Sequence, residues 1–106
     1  MEIKNRVLKT ELVEWRKFKF IQTGKFKHFP PDLEARLRES IANNHFLETF
    51  KIWEHKGDLY CLDGYHRCLI LRQLEERGYT IPEKLPGEFI ECKNKGEAAK
   101  LVLIYS

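Results

Sequence analysis

The stretch that most constrains this chain is residues 59–72, LYCLDGYHRCLILR. Leu59, Tyr60, Cys61 and Leu62 form an apolar run short enough for a strand. Asp63 and Gly64 break that run, and from Tyr65 onward the apolar spacing is helical, with His66 and Arg67 in the first turn. A strand that passes through a tight Asp-Gly turn into a helix aims several backbone N–H groups at one point. The helix dipole adds partial positive charge there, so the point suits an anion. An imidazole and a guanidinium at the same place reinforce a phosphate site.

The rest of the chain supplies the frame. At 106 residues it is expected to be one domain, 1–106, with a modest core. A net charge of +3 is only a weak bias towards acidic partners; a dedicated DNA-binding domain is usually more lopsided. Cys61, Cys68 and Cys92 are an odd set with no CxxC, which argues against a disulfide framework and for a reducing compartment. No stretch has the length of a membrane span, and MEIKNRVLKT lacks the apolar core of a signal peptide, so a cytoplasmic location is expected.

In chain order, Val7, Leu8, Leu12 and Val13 predict an early strand and a turn. Trp15 to Phe29 interleaves Arg16, Lys17, Lys19, Lys25 and Lys27 with Phe18, Phe20, Phe26 and Phe29. Such a pattern suits a nucleic-acid surface. It equally suits an edge strand or ordered loop with its rings inward and its lysines solvated. Gly24 marks a bend that could face a phosphate. Pro30-Pro31-Asp32 opens a helix with an apolar stripe at Leu33, Leu37, Ile41 and Ala42, which ends at Asn43-Asn44 with an Asn as left-handed terminator. Phe46 to Trp53 reads as a strand, Glu54 to Asp58 as a hairpin turn, and Leu59 to Leu62 as the returning strand. The next helix buries Cys68, Leu69, Leu71 and Leu74 and stops at Arg77-Gly78. Tyr79 to Gly87, with Pro82 and Pro86, is expected to be an irregular connector. Phe89 to Cys92 is a short strand, and Gly96 to Ile104 a closing helix. These elements predict an α+β (mixed α/β) fold: a small mixed sheet with about three helices. A helix that runs to Ser106 with no cap suggests a piece of a longer protein.

At the turn each residue carries two readings. Asp63 is either the helix N-cap, worth roughly 1 kcal/mol, or part of the anion site. Arg67 sits at the positive end of a dipole, unfavourable by roughly 0.3–1 kcal/mol unless a phosphate or a salt bridge to Glu54, Asp58 or Asp63 offsets it. His66 is a structural hydrogen-bonding residue, a donor to phosphate, or the candidate acid or base of a catalytic step. His28, His45 and His55 lack metal-ligand spacing, so no structural metal is expected.

The motif Asp63-Gly64-Tyr65-His66-Arg67 resembles the phosphate turn of the ParB/sulfiredoxin superfamily, and within it the ParB N-terminal-like ("ParB-like nuclease") domains of phage and mobile-element proteins. Trp15-Arg16, Gln22-Thr23-Gly24-Lys25, Ser40-Ile41 through Phe46, Phe89-Ile90-Glu91 and Glu97-Ala98-Ala99-Lys100-Leu101 extend the match over nearly the whole chain. The resemblance implies a ParB/sulfiredoxin-like fold and a nucleotide, ATP or CTP, with Mg as a companion ion. It implies phosphate binding by Gly64, His66 and Arg67, to which the turn chemistry adds Asp63 and the basic segment adds Lys25. It also implies a module of a DNA-associated phage or plasmid protein, with DNA and a downstream methyltransferase or other DNA-processing domain as partners. A metal-dependent nuclease or nucleoside triphosphatase, and a non-catalytic interaction domain, are the alternatives. Tyr65 stands where sulfiredoxin has its catalytic cysteine, so sulfinic-acid reduction is not expected. The last helix lacks the Asn-containing motif and downstream arginine of partition proteins, which argues against their hydrolysis chemistry.

Overall fold

A computed structural model describes residues 1–21 and 30–105. Five strands and three helices alternate along it. They are β1 (Val7–Val13), β2 (Lys19–Phe20), α1 (Pro31–Asn44), β3 (Phe50–His55), β4 (Asp58–Asp63), α2 (Tyr65–Glu76), β5 (Leu85–Ile90) and α3 (Lys95–Tyr105), with a single 3-10 turn, Trp15–Lys17, between β1 and β2. The strands form one sheet in the order β1-β5-β3-β4-β2. β1 runs antiparallel to β5 and β3 antiparallel to β4, while β3–β5 and β4–β2 are parallel. The sheet is therefore mixed, and the fold is α+β as expected.

Strand alternation sorts the core onto two faces. Phe50, Ile52, Cys61 and Phe89 join Val13, Trp15, Phe18, Leu85 and the α2 residues Cys68 and Leu71. Their strand neighbours Trp53, Leu62 and Ile90 point the other way and pack with Ala98 and Val102 of α3. Burying both faces explains why β3 and β4 read as apolar runs rather than as a polar-apolar alternation.

Several boundaries differ from the sequence reading. Asn43 and Asn44 are both still helical, and it is His45, with φ +67°, that ends α1. Four more residues precede β3, which begins at Phe50 rather than Phe46; Phe46 instead stacks on Phe50 at 5.3 Å. The connector after α2 is shorter than expected, because β5 begins at Leu85 and includes Pro86 and Gly87. Proline is tolerated there because Pro86 precedes the residues, Gly87 to Phe89, that pair with β3. The end of α2 follows the sequence reading. Gly78, at φ +96°, donates its N–H to Glu75 O, and Tyr79 N–H reaches Leu74 O, each at 3.0 Å. The start of α3 uses a cap that was not anticipated: Asn94 Oδ1 accepts the Glu97 N–H at 2.9 Å.

Within the described part of the basic-aromatic segment, the packing reading holds. Trp15 and Phe18 are buried, while Lys17 and Lys19 are exposed. The Trp15 indole N–H donates to Pro82 O at 2.9 Å. Arg16 lies over the Trp15 ring, pairs with Glu75 of α2, and donates to Ile81 O at 3.2 Å. Residues 22–29, including Lys25, lie outside the described residues.

Candidate functional site

The site is the passage from β4 to α2. Gly64, at φ +130° and ψ 12°, turns the chain between Asp63, the last residue of β4, and Tyr65, the first of α2. Two constraints require glycine there. The backbone lies where L side chains rarely go, and a Cβ would sit 2.4 Å from Cδ1 of the fully buried Phe50. Phe50 therefore closes directly over the turn.

The N-cap of α2 is Gly64, not Asp63, and glycine has no side chain to cap with. The physical reason is register: Asp63 is still in the sheet, its backbone paired opposite Lys51 of β3, so the chain leaves the strand one residue later, at Gly64. The first intrahelical bond runs from Cys68 N–H to Gly64 O at 2.9 Å. The N–H groups of residues 65–67 thus precede the intrahelical ladder, where the dipole favours an anion.

Arg67 is half-buried beside this turn. Its Nη1 donates to Thr49 O at 3.1 Å, and its Nη2 lies 3.8 Å from Glu48 Oε2. None of the anticipated partners Glu54, Asp58 or Asp63 pairs with it among the described contacts; Asp58 instead holds Lys19 at 3.0 Å. A backbone carbonyl fixes the guanidinium without neutralising it, and Glu48 is both distant and mostly exposed. His66 is half-buried in the same turn, its ring edge-on to Tyr65 at 5.3 Å, and Tyr65 is edge-on to Phe20 of β2 at 5.3 Å.

The structure brings Asp63, Gly64, His66 and Arg67 together. It also brings in a group that the sequence reading did not single out. Lys51, opposite Asp63, pairs with Glu88 of β5 at 3.2 Å, and Thr49 donates to the same Glu88 oxygen. Those two hydrogen bonds, Thr49 first and then Lys51, hold the Glu88 carboxyl below its ordinary value. Lys51 is thus a second cation beside the turn. The signal for it was its place in FKIW, one residue before Ile52, on the strand face away from Phe50.

The thiols near the turn do not suit nucleophilic chemistry. Hydrogen bonding to Cys68 first, and burial second, push the Cys61 thiol far above its ordinary value, and Cys68 is itself buried. Among the described residues, no three His, Cys, Asp or Glu side chains gather as a metal site. Nor is any described helix long and apolar enough to cross a membrane.

No family model and no curated protein matches the chain. Solved structures do. The C-terminally truncated chromosome-partitioning protein ParB from Caulobacter crescentus, complexed with CTP-gamma-S, superposes with a TM-score of 0.68 over 91% of this chain, at 11% identity. The fold is ParB-like. A C-terminally truncated SbnI from Staphylococcus aureus superposes at 0.53 over 77% of the chain, at 23% identity. The ParB-like domain described here spans about half of that ParB chain, 51%, and 30% of the SbnI chain.

Proposed function

We propose that the β4–α2 turn binds the phosphates of a nucleotide, and that the chain is a nucleotide-binding ParB-like module of a DNA-associated phage or plasmid protein. The observation that carries this reading is the start of α2, with Gly64 as its cap and Arg67 held beside the first turn by the Thr49 carbonyl. A helix N-terminus that opens on a glycine, with a guanidinium fixed at its rim, is an arrangement that a phosphate stabilises. The ParB structure of the same fold is a complex with CTP-gamma-S, which supports a nucleotide, CTP or ATP, over a simple anion.

In this reading the amides of residues 65–67 and the Arg67 side chain hold phosphate oxygens, and His66 donates a further hydrogen bond. Gly64 lets the backbone approach closely. Asp63 and Lys51 border the turn, and Lys25 assists from the basic segment. A magnesium ion would be carried mainly on the phosphates, with Asp63 as the carboxylate at the turn. The reading is one of binding; the residues gathered here hold a phosphate and supply no activated nucleophile. The module is proposed to be one domain of a longer, cytoplasmic protein, joined to a DNA methyltransferase or another DNA-processing domain.

Titration of CTP, ATP and inorganic phosphate into the protein, followed by amide NMR shifts and by melting temperature, tests this. Shifts concentrated at residues 64–67, weakened at least tenfold by Arg67→Ala, are the expected result. Unchanged amides in this turn at millimolar nucleotide would overturn it.

A further inference from the structure

The two edges of the sheet are unlike. β2 contributes two described residues, a short edge of the kind that resists pairing with other chains. β1 is seven residues long, lies at the other end of the sheet, and is exposed at every position but Val13. Leu8 and Leu12 are 63% and 62% exposed, which is unusual for leucines in a strand. The sequence VLKTELV also has a hidden symmetry. Outward from Thr10 stand Lys9 and Glu11, then Leu8 and Leu12.

We propose that β1 joins two copies of this chain edge to edge, antiparallel, about a twofold axis at Thr10. In that register Lys9 of each copy faces Glu11 of the other, so like charges never meet. Within one chain Lys9 and Glu11 already pair at 3.3 Å on the same face of β1. The twofold would gather these four charges into an alternating ring. Lys9 is also anchored from below, its Nζ 4.4 Å from the centre of the Phe89 ring, which positions it in advance. Leu8 of each copy comes opposite Leu12 of the other, so four exposed leucines cover one another. The pairing of β1 with β5 is irregular between Val7 and Lys9. The regular ladder between copies is therefore centred on residues 9–11, with the leucines closing its two ends. The product is a continuous sheet of ten strands, five from each copy.

An edge lysine ordinarily repels a second strand. Here it does so for any strand that lacks a matching carboxylate, so the same residue that deters promiscuous pairing selects a second copy. This inference is independent of the nucleotide reading, because β1 and the β4–α2 turn share no residue.

Sedimentation equilibrium of the full chain should show reversible dimers. Glu11→Lys and Lys9→Glu, each alone, place like charges opposite one another twice and should weaken self-association by about tenfold or more. An equimolar mixture of the two variants should dimerise again, since each then supplies what the other lacks. The double variant Lys9→Glu/Glu11→Lys should dimerise as the parent does. Circular dichroism checks that each variant is folded. Should a single variant fail to fold, a nitroxide at Thr10→Cys in a Cys92→Ser background replaces it, and strong dipolar broadening between copies is expected. A parent that stays monomeric at several hundred micromolar, charge reversals that leave the dimer unchanged, a mixture that fails to reassociate, or a spectrum without broadening would each overturn the proposal.

Discussion

Helices α1 and α2 are close in length, lie against each other, and are held by different physics. α2 buries Cys68, Ile70, Leu71 and Leu74, whereas no residue of α1 is buried. α1 rests on α2 partly through polar side chains. Arg38 Nη1 donates to Gln73 Oε1 at 2.8 Å, and Gln73 Nε2 donates to Glu34 Oε1 at 2.6 Å. Burial of apolar side chains fixes a helix far more firmly than partly exposed hydrogen bonds do. The helix that opens at the β4–α2 turn is thus the one fixed to the sheet. The difference teaches that helical pattern alone does not reveal which helix anchors a site: α1 has the clean apolar stripe, yet Leu33 is exposed, and Leu37 and Ile41 are only half-buried.

The contrast can be broken or sharpened by substitution. Leu71→Ala in α2 should cost about 2–5 kcal/mol in denaturant unfolding, and Leu37→Ala in α1 about 1 kcal/mol or less. Equal losses would show that α1 belongs to the core after all. Gly64→Ala, which forces a Cβ against Phe50 in a strained backbone, should cost about 2–4 kcal/mol and shift the start of α2 in NMR spectra. Gln73→Ala should cost about 1 kcal/mol. Its effect should appear as faster amide exchange in α1, with α2 nearly unchanged.

The smallest effect is electrostatic and touches α2 alone. The Arg16 hydrogen bond, opposed by partial burial, holds the Glu75 carboxyl below its ordinary value. A carboxyl depressed in the folded state contributes stability above its unfolded value near 4.5, and loses it as pH falls through the lower folded value. Glu75→Gln should therefore lower the melting temperature slightly at neutral pH, leave it unchanged well below the folded value, and so flatten the acid limb. An unaltered acid limb would mean that solvent screens the pair fully.

Local chemistry made part of this legible. The switch from a strand run to helical spacing at Asp63-Gly64 located the β4–α2 turn to within a residue, because a change of period is a local signal. Gly78 was legible for the same reason, since a helix stop needs only neighbours. β5 was read too short because Pro82 and Pro86 look like loop residues until the partner strands are known. Asp63 looked like the cap, yet its pairing with Lys51 from another strand decided otherwise. Lys51, Thr49 and Glu88 meet only through the parallel β3–β5 pairing, which no window of sequence displays. Arg67 was read into the first turn of α2, where it lies, but with other partners, since Thr49 and Glu48 lie in the coil before β3, part of a stretch read as strand.

The order of strands also sets a timetable. Among the described residues β1 pairs with β5, and Val7 finds its partner in Ile90, so a strand made early in this stretch waits for one made late in it. Nothing local holds VLKTELV in the meantime, and loop closure over most of the chain must precede its capture. The hairpin of β3 and β4 and helix α2 can assemble earlier from neighbouring contacts. A nascent chain would therefore carry a formed β4–α2 turn while β1 is still unclaimed, and synthesis must pass residue 90 before the sheet can close.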